Sequence, residues 1–329
     1  MRLIVIVAAV VLAIVAWTGF WFYAADRVER TLQTWTTDAG AGGAVLSYDG
    51  LKIDGYPFRL QVRLTAPRVT WPVRPGRPEW QAEQLAAIVH PWNYRHIIFD
   101  LAGGHRLAVD LQGRRRQLTL EIGEGLASFL GDPGRPERLS IDLREAALSL
   151  DDAPVVEAAR VQLHLRPGRE DGQIDLAASF SNAMLQPPPT PALGTAPAGA
   201  EVQGTFSGPL SDAALPEALA QWRDAGGSLE LQRLQLEWGE LNASLKGALA
   251  LDPALRPAGT LTARIRGHEE LLDAAVASGQ LPADMAPAAR TALGLLAVAG
   301  GGVLAVPLTL QDGRVYLGPV QIGRLRPLL

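Results

Sequence analysis

The chain has 329 residues, a formal net charge of −4 and no cysteine. These values exclude a disulfide framework, a thiolate nucleophile and a zinc–thiolate site, and the lack of a basic excess argues against nucleic acid as a partner. With 34 glycines and 24 prolines, the composition favours short strands joined by turns over a helical bundle.

The first predicted element is an apolar helix at the amino terminus. Residues 3–25 carry no charged side chain, and about 20 apolar residues are enough for a helix to cross a bilayer core. A cleaved signal peptide is the alternative, but its apolar region is usually shorter, and Tyr23 stands where a cleavage site needs a small residue. We therefore predict an uncleaved membrane anchor over residues 1–25. Its membrane contacts are expected from Leu3, Trp17, Trp21 and Tyr23.

The orientation of the anchor follows from the charges that flank it. Arg2 makes the amino-terminal flank positive, whereas residues 26–30 carry equal numbers of acidic and basic side chains. Because the positive end of a span stays in the cytoplasm, we predict that the rest of the chain is exported.

Residues 26–43 are predicted to continue the helix and to end in a glycine-rich stalk. Val28, Leu32 and Trp35 form a narrow apolar stripe at helical spacing, and the glycines between positions 40 and 43 end the helix. Residues 44–185 then alternate apolar with polar side chains, which is typical of strands with one buried face. Recurrent turn signals make this first β-rich half a long antiparallel meander.

A proline-rich segment at residues 186–200 is predicted to be an exposed linker or long loop, followed by a second β-rich half at residues 201–329. In this half the alternation slips by one position near Arg233, which predicts a β-bulge. Helices are expected at about residues 215–225 and 268–299. The second of these regions is apolar enough to cover the open face of the sheet, a second membrane span being the alternative.

The predicted fold class is therefore mainly β, of the α+β type. It consists of an N-terminal transmembrane helix and a long curved antiparallel β-sheet domain with a few helices packed on it.

No arrangement of residues in the sequence indicates catalysis. His96, Asp100 and His105 could meet across a hairpin, but their spacing matches no zinc site. We predict no metal, no cofactor and no enzymatic activity. Aromatic residues cluster in one part of the first half, and they form either ordinary core or an apolar groove. These residues are Trp80, Trp92, Tyr94 and Phe99.

Several local motifs resemble a known bacterial family. They occupy residues 55–59, 227–230, 238–239, 247–252 and 307–319. Together with the single anchor, they are similar to the envelope family catalogued as domain of unknown function 2125, over nearly the whole chain. The motif positions are Gly55, Pro57, Phe58, Trp238, Gly239, Asp312, Gly313, Gly318 and Pro319. The closing hairpin also resembles, more distantly, the AsmA-like group of anchored periplasmic proteins.

The resemblance implies a single-pass inner-membrane protein of Gram-negative bacteria, with the bulk of the chain in the periplasm and no assigned catalytic residues. The AsmA-like likeness implies an apolar concave sheet that handles lipid. One expected function is therefore the binding of a lipid or another apolar envelope molecule in a groove. The alternative is a structural or protein-interaction component of the envelope with a filled core. The expected partners are the inner membrane and either lipid or envelope proteins, and not nucleic acid.

Overall fold

The computed structural model describes residues 2–37, 43–72, 76–111, 114–132, 135–186, 197–209, 211, 213 and 215–328. This part of the chain is mostly strand with four helices, and its strands pair antiparallel, which confirms the predicted mainly β class. Contacts divide the chain into two compact units, Met1–Glu137 with Ile141–Val155 and Arg138–Ser140 with Val156–Leu329.

The first unit begins with one helix that contains both the predicted anchor and its predicted continuation. The helix is unbroken because the segment has no proline and a single glycine, Gly19. Most of the predicted glycine stalk, residues 38–42, lies outside the described residues. The elements are α1 (Arg2–Thr37), β1 (Val45–Ser47), β2 (Gly50–Asp54), β3 (Leu60–Thr65), β4 (Arg68–Thr70), β5 (Glu79–Ala82), β6 (Gln84–His90), β7 (Asn93–Asp100), β8 (Gly103–Leu111), β9 (Arg114–Asp132) and most of β10 (Arg135–Leu150).

The strands of the first unit form two groups along the same side of the long strand β9. In one group β1, β4, β5 and β8 pair in that order, and β8 pairs with residues 114–122 of β9. In the other, β2, β3, β6 and β7 pair in that order, and β7 pairs with residues 126–130 of β9. Strand β10 borders β9. A single strand therefore holds both groups.

Strand β3 shares a core with the second half of α1. Its apolar residues are buried at every second position, as the alternation predicts. Val62 and Leu64 form a core with Val28 and Leu32 of the helix. The apolar stripe of α1 therefore packs on the sheet of the first unit.

The second unit is a run of strands that pair in chain order, each antiparallel to the next. Its elements are most of β11 (Ala153–Pro167), β12 (Gln173–Leu185), β13 (Ala198–Ser207), α2 (Leu215–Asp224), β14 (Ser228–Trp238), β15 (Leu241–Leu251), β16 (Pro257–Arg266), α3 (His268–Ala277), α4 (Ala286–Ala299), β17 (Leu304–Gln311), β18 (Arg314–Leu317) and β19 (Val320–Arg324).

The β-bulge predicted near Arg233 is confirmed. In the pairing of β13 with β14, Gln203 lies opposite Arg233 while Gly204 lies opposite Leu231. The extra residue in β14 keeps the apolar side chains before and after the slip on the same face of the sheet. Without it, a shift of one position would place one of the two sets on the opposite face.

The proline-rich segment does not separate the two compact units. Residues 187–196 lie outside the described residues, but β12 and β13 on either side of them pair with each other, and residues 198–200 belong to β13. The division between the units instead runs through β10 and β11. The proline-rich composition correctly indicates a connection between strands, but this connection lies within one unit. Composition cannot show whether the strands on either side of a connection pair with each other.

Two helices cover one face of the sheet in the second unit. The core between them and the strands includes Leu272, Leu293, Leu304 and Leu317, which are fully buried. The predicted helical region 268–299 is thus two helices. It breaks after Ser278 because Gly279 has a φ of 71°, in the left-handed region that ends helices.

The turn between β15 and β16 is held by the carboxylate of Asp252. This carboxylate accepts hydrogen bonds from the backbone N–H of Ala254 and from both the backbone N–H and the guanidinium of Arg256, at 2.7–2.9 Å. Burial raises the pKa of Asp252, but the hydrogen bonds from Arg256 and Ala254 and the charge of Arg256 outweigh it, so the pKa lies below its ordinary value.

Candidate functional site

The first unit contains an apolar cavity of about 560 Å³ that is open on one side. Both strand groups and the second half of α1 contribute to its wall, which contains no charged side chain. The lining residues are Val28, Leu32, Trp35, Ala44, Leu46, Val62, Leu64, Pro67, Val69, Trp71, Trp80, Leu85, Ala87, Val89, Tyr94, Ile97 and Phe99. The size falls within the roughly 300–1,000 Å³ range of small-molecule sites.

The chemistry of the wall suits an apolar occupant. The polar side-chain atoms in it belong to three indole rings and to the hydroxyl of Tyr94, which is largely exposed. A charged or strongly polar ligand would lose its hydration there without gaining partners, at a cost of several kcal/mol, on the order of 2–7 for a single unpaired polar group. The cavity therefore favours hydrocarbon.

Three of the four aromatic residues proposed from the sequence for an apolar groove line this cavity. They are Trp80 of β5 and Tyr94 and Phe99 of β7. Trp92 lies elsewhere, in the turn between β6 and β7, where its ring is 5.8 Å from that of Trp17 and 5.0 Å from that of His90. It contacts the anchor because the turn extends beyond the strand ends.

The histidines considered as ligands have other partners. The ring of His96 is hydrogen-bonded to the hydroxyl of Ser128 at 2.9 Å. The buried ring of His105 is 2.8 Å from the carbonyl oxygen of Leu101 and stacks on Trp80 at 5.8 Å. Across the described ranges, the structure contains no cluster of three potential metal ligands.

One end of the first unit is bound to α1 by the tryptophans of the predicted anchor. Trp17 donates its indole N–H to the carbonyl oxygen of Pro57 at 2.9 Å, and Trp21 donates to the carbonyl oxygen of Arg59 at 3.0 Å. The hydroxyls of Thr18 and Tyr56 are 2.7 Å apart. The turn at residues 55–59 therefore packs on the anchor, and Trp21 is 4% exposed as a result.

The other two predicted anchor positions, Leu3 and Tyr23, project outward from α1 and are exposed. Among the residues that the structure describes, α1 is the single helix long and apolar enough to cross a membrane. It suits a single-pass anchor by length and composition.

The motif positions between β2 and β3 shape the turn that meets the anchor. Gly55 has a φ of 100°, and a Cβ at this position would lie 2.8 Å from the carbonyl oxygen of Arg59, so glycine is required. Pro57 accepts the bond from Trp17, and Phe58 is 72% exposed. Gly55 and Pro57 therefore have a role in docking the turn on α1.

Apart from Trp238, which ends β14, the motif positions of the second unit lie in turns, and none of them lines the cavity. Gly239, Asp312, Gly313 and Gly318 all have positive φ values, Pro319 follows Gly318, and a Cβ at Gly313 would lie 2.5 Å from the guanidinium of Arg256. Trp238 packs on a small core with Ala158, Ala183 and Ala198. We assign these positions to the backbone geometry and packing of the sheet.

A second concavity, in the second unit, has a volume of about 920 Å³ and a polar lining that includes Arg138 and His164. Two of its charged groups pair with each other: Arg166 and Asp175 form an ion pair at 3.2 Å, and Asp175 accepts a hydrogen bond from Thr205 at 2.9 Å. Because its wall is polar and these groups bond to one another across neighbouring strands, this surface is less suited to an apolar ligand than the cavity of the first unit.

The sequence did not identify the aliphatic part of the cavity wall. Val62, Leu64, Leu85 and Ala87 lie on strands whose alternation marks one buried face but does not distinguish a filled core from a cavity. One sequence feature did indicate an apolar surface here: the stripe formed by Val28, Leu32 and Trp35, which continues the apolar character of the anchor beyond residue 25.

Residues 21–326 match the model of a family described as "Uncharacterized protein conserved in bacteria (DUF2125)". The match includes the cavity and every motif position from which the resemblance was drawn, and it confirms that resemblance. No curated protein and no solved structure matches the chain. The more distant likeness to the AsmA-like group stays a prediction.

Proposed function

We propose that this chain, which belongs to the bacterial DUF2125 family, is a membrane-anchored protein that holds a lipid or another apolar envelope molecule in the cavity of its first unit. The observation that carries the proposal is the uncharged wall of the cavity, to which Val28, Leu32 and Trp35 of the anchor helix contribute directly. An apolar ligand that leaves the bilayer beside α1 would meet this wall next. The function is binding, without catalysis.

The proposal includes an uncleaved anchor and an exported, periplasmic bulk. The bonds from Trp17 and Trp21 to the turn at residues 55–59 support retention, because cleavage after residue 25 would remove both indoles and uncover the turn. Protease added outside spheroplasts is expected to digest the protein while leaving its amino terminus protected. A bulk that resists this protease until the inner membrane is lysed would contradict the orientation.

The test of ligand binding is native mass spectrometry of the full-length protein released from mild detergent. We expect a lipid-sized mass adduct on the wild-type protein. Ala87→Phe places a ring in the cavity and should reduce the bound fraction at least tenfold. Ala248→Phe, which adds the same ring at an exposed strand position, is the matched control and should retain the adduct.

Two results of this test would contradict the proposal. One is a wild-type protein without any adduct. The other is an adduct that Ala87→Phe and Ala248→Phe retain equally, because the ligand would then lie outside the cavity.

The second candidate function, a structural or protein-interaction component of the envelope, is favoured by the outer face of α4. Leu295 and Val298 are 69% and 80% exposed there, and Leu296 between them is 39% exposed. Apolar side chains in such a group are typical of an interface. A photo-crosslinker at position 298 that captures one stoichiometric partner, together with a wild-type protein free of lipid, would support this function over the first.

A further inference from the structure

The turn at residues 55–59 lies beside a part of α1 that is inside the uncharged segment. Trp17 donates a hydrogen bond to the carbonyl oxygen of Pro57. Along the helix axis, Trp17 lies about 12 Å before residue 25, where the uncharged segment ends. A hydrocarbon core of about 30 Å that starts at Leu3 ends near Phe22. The level of Trp17 is then about 7–8 Å inside the core.

The first unit therefore reaches the depth of the bilayer surface. The hydrogen bonds from Trp17 and Trp21 keep Pro57 and Arg59 at the level of these tryptophans, so the turn cannot stay above the headgroups while α1 spans the membrane. Two loops occupy this level, because Trp92 of the β6–β7 turn also contacts Trp17.

The side chains at this level have the chemistry of a membrane interface. Phe58 is 72% exposed, Trp92 is 59% exposed and Tyr56 is 47% exposed. Aromatic rings, and tryptophan and tyrosine above all, concentrate where headgroups meet acyl chains. Arg59, in the same turn, is exposed and suited to a lipid phosphate. Large exposed aromatic side chains in water would be unfavourable, whereas here they continue the aromatic end of the anchor.

We propose that Tyr56, Phe58 and Trp92 form a membrane-docking surface, which inserts into the interfacial layer of the same bilayer that α1 spans. Apolar faces of segments that lie at the membrane surface are stabilised when they are buried about 5–10 Å deep, at the boundary of headgroups and acyl chains. The first unit is thereby fixed on the membrane by two turns in addition to the helix. This inference rests on the anchor staying attached and is independent of any ligand in the cavity.

The strand register identifies the side of the unit that points away from the membrane. Arg59, whose carbonyl oxygen accepts the bond from Trp21, precedes β3. Leu64, near the other end of this strand, belongs to the core that includes Leu32, about 16 Å of helix beyond Trp21. Asp100 pairs with Ala86, which in turn pairs with Arg63. The β7–β8 turn that follows Asp100, with the exposed Ala102, therefore lies at the end distant from Trp17.

The absence of native cysteine allows labelling at single positions of the full-length protein. We would attach an NBD fluorophore to Phe58→Cys and Trp92→Cys, with Phe22→Cys as the membrane control and Ala102→Cys as the matched control in a turn. Each variant is reconstituted into phosphatidylcholine vesicles, with and without lipid carrying a doxyl quencher at carbon 5.

We expect NBD at positions 58, 92 and 22 to be quenched to a similar extent and to emit at shorter wavelength than NBD at position 102. Quenching at position 22 combined with water-like, unquenched signals at both 58 and 92 would overturn the proposal. The readout reports docking alone, so a protein that carries no lipid in its cavity would still give the expected result.

Discussion

Replacing Trp21 is expected to release the turn at residues 55–59 from the anchor helix. Trp21 is 4% exposed, donates to the carbonyl oxygen of Arg59 at 3.0 Å and meets the ring of Tyr56 edge-on at 5.6 Å. Trp21→Phe keeps a ring and loses the hydrogen bond, which is worth about 0.5–1.5 kcal/mol. Trp21→Ala loses the whole buried ring, at a cost of about 3–5 kcal/mol.

These losses lower the free energy of local opening, so they appear as faster hydrogen exchange in the turn. The reporter is the amide of Arg59, which donates to the carbonyl oxygen of Gly55 at 3.1 Å. In lipid nanodiscs its exchange should accelerate up to about tenfold in Trp21→Phe and at least about a hundredfold in Trp21→Ala, since each 1.4 kcal/mol is a factor of ten.

Val15→Ala is the matched control for this prediction. Val15 lies on the same helix, is largely exposed, and should leave the exchange of the turn unchanged. If the Arg59 amide exchanges at the wild-type rate in Trp21→Ala, then the indole does not hold the turn, and the reasoning from the hydrogen bond and the ring contact is refuted.

Two further predictions concern the second unit. Gly227→Ala should lower the stability of this unit by about 1–3 kcal/mol, because a Cβ at position 227 would lie 2.3 Å from the ring of Trp222. Gly294→Ala in α4 should raise the stability by about 0.5–1 kcal/mol, because a Cβ at position 294 would have no atom within 4 Å and alanine favours the helix. Equal shifts of the denaturant midpoint in the two variants would contradict this prediction. Asp252→Asn should cost about 1.5–3 kcal/mol at pH 7 because the charge-assisted hydrogen bond from the Arg256 guanidinium is lost. Because the folded-state pKa of Asp252 lies below its ordinary value of 3.8, this contribution is fully present above about pH 4 and is lost as the pH falls through the folded pKa. Denaturation curves of the variant and the wild type should therefore converge at low pH, and a constant gap down to pH 2 would exclude the mechanism.

The strands of the second unit could be predicted closely because neighbours in sequence are also neighbours in space. In β14, the bulge near Arg233 followed from the alternation alone. The break between α3 and α4 was missed although Gly279 and Pro282 stand in it. The apolar character on both sides of the break outweighed these two local signals.

By itself, the amino-acid sequence determined the apolar anchor, the periods of the strands and the family, because each depends on residues close together in the chain. Only the tertiary structure decided which aromatic residues share the cavity and which contact the anchor. Trp92 lies close to Trp80 in sequence, yet it packs against Trp17, while Trp80, Tyr94 and Phe99 surround the cavity. The reason is that β5 pairs directly with β8, and β3 with β6, although other strands lie between them in the sequence. Side-chain period fixes the face on which a residue lies, but long-range pairing determines what that face meets.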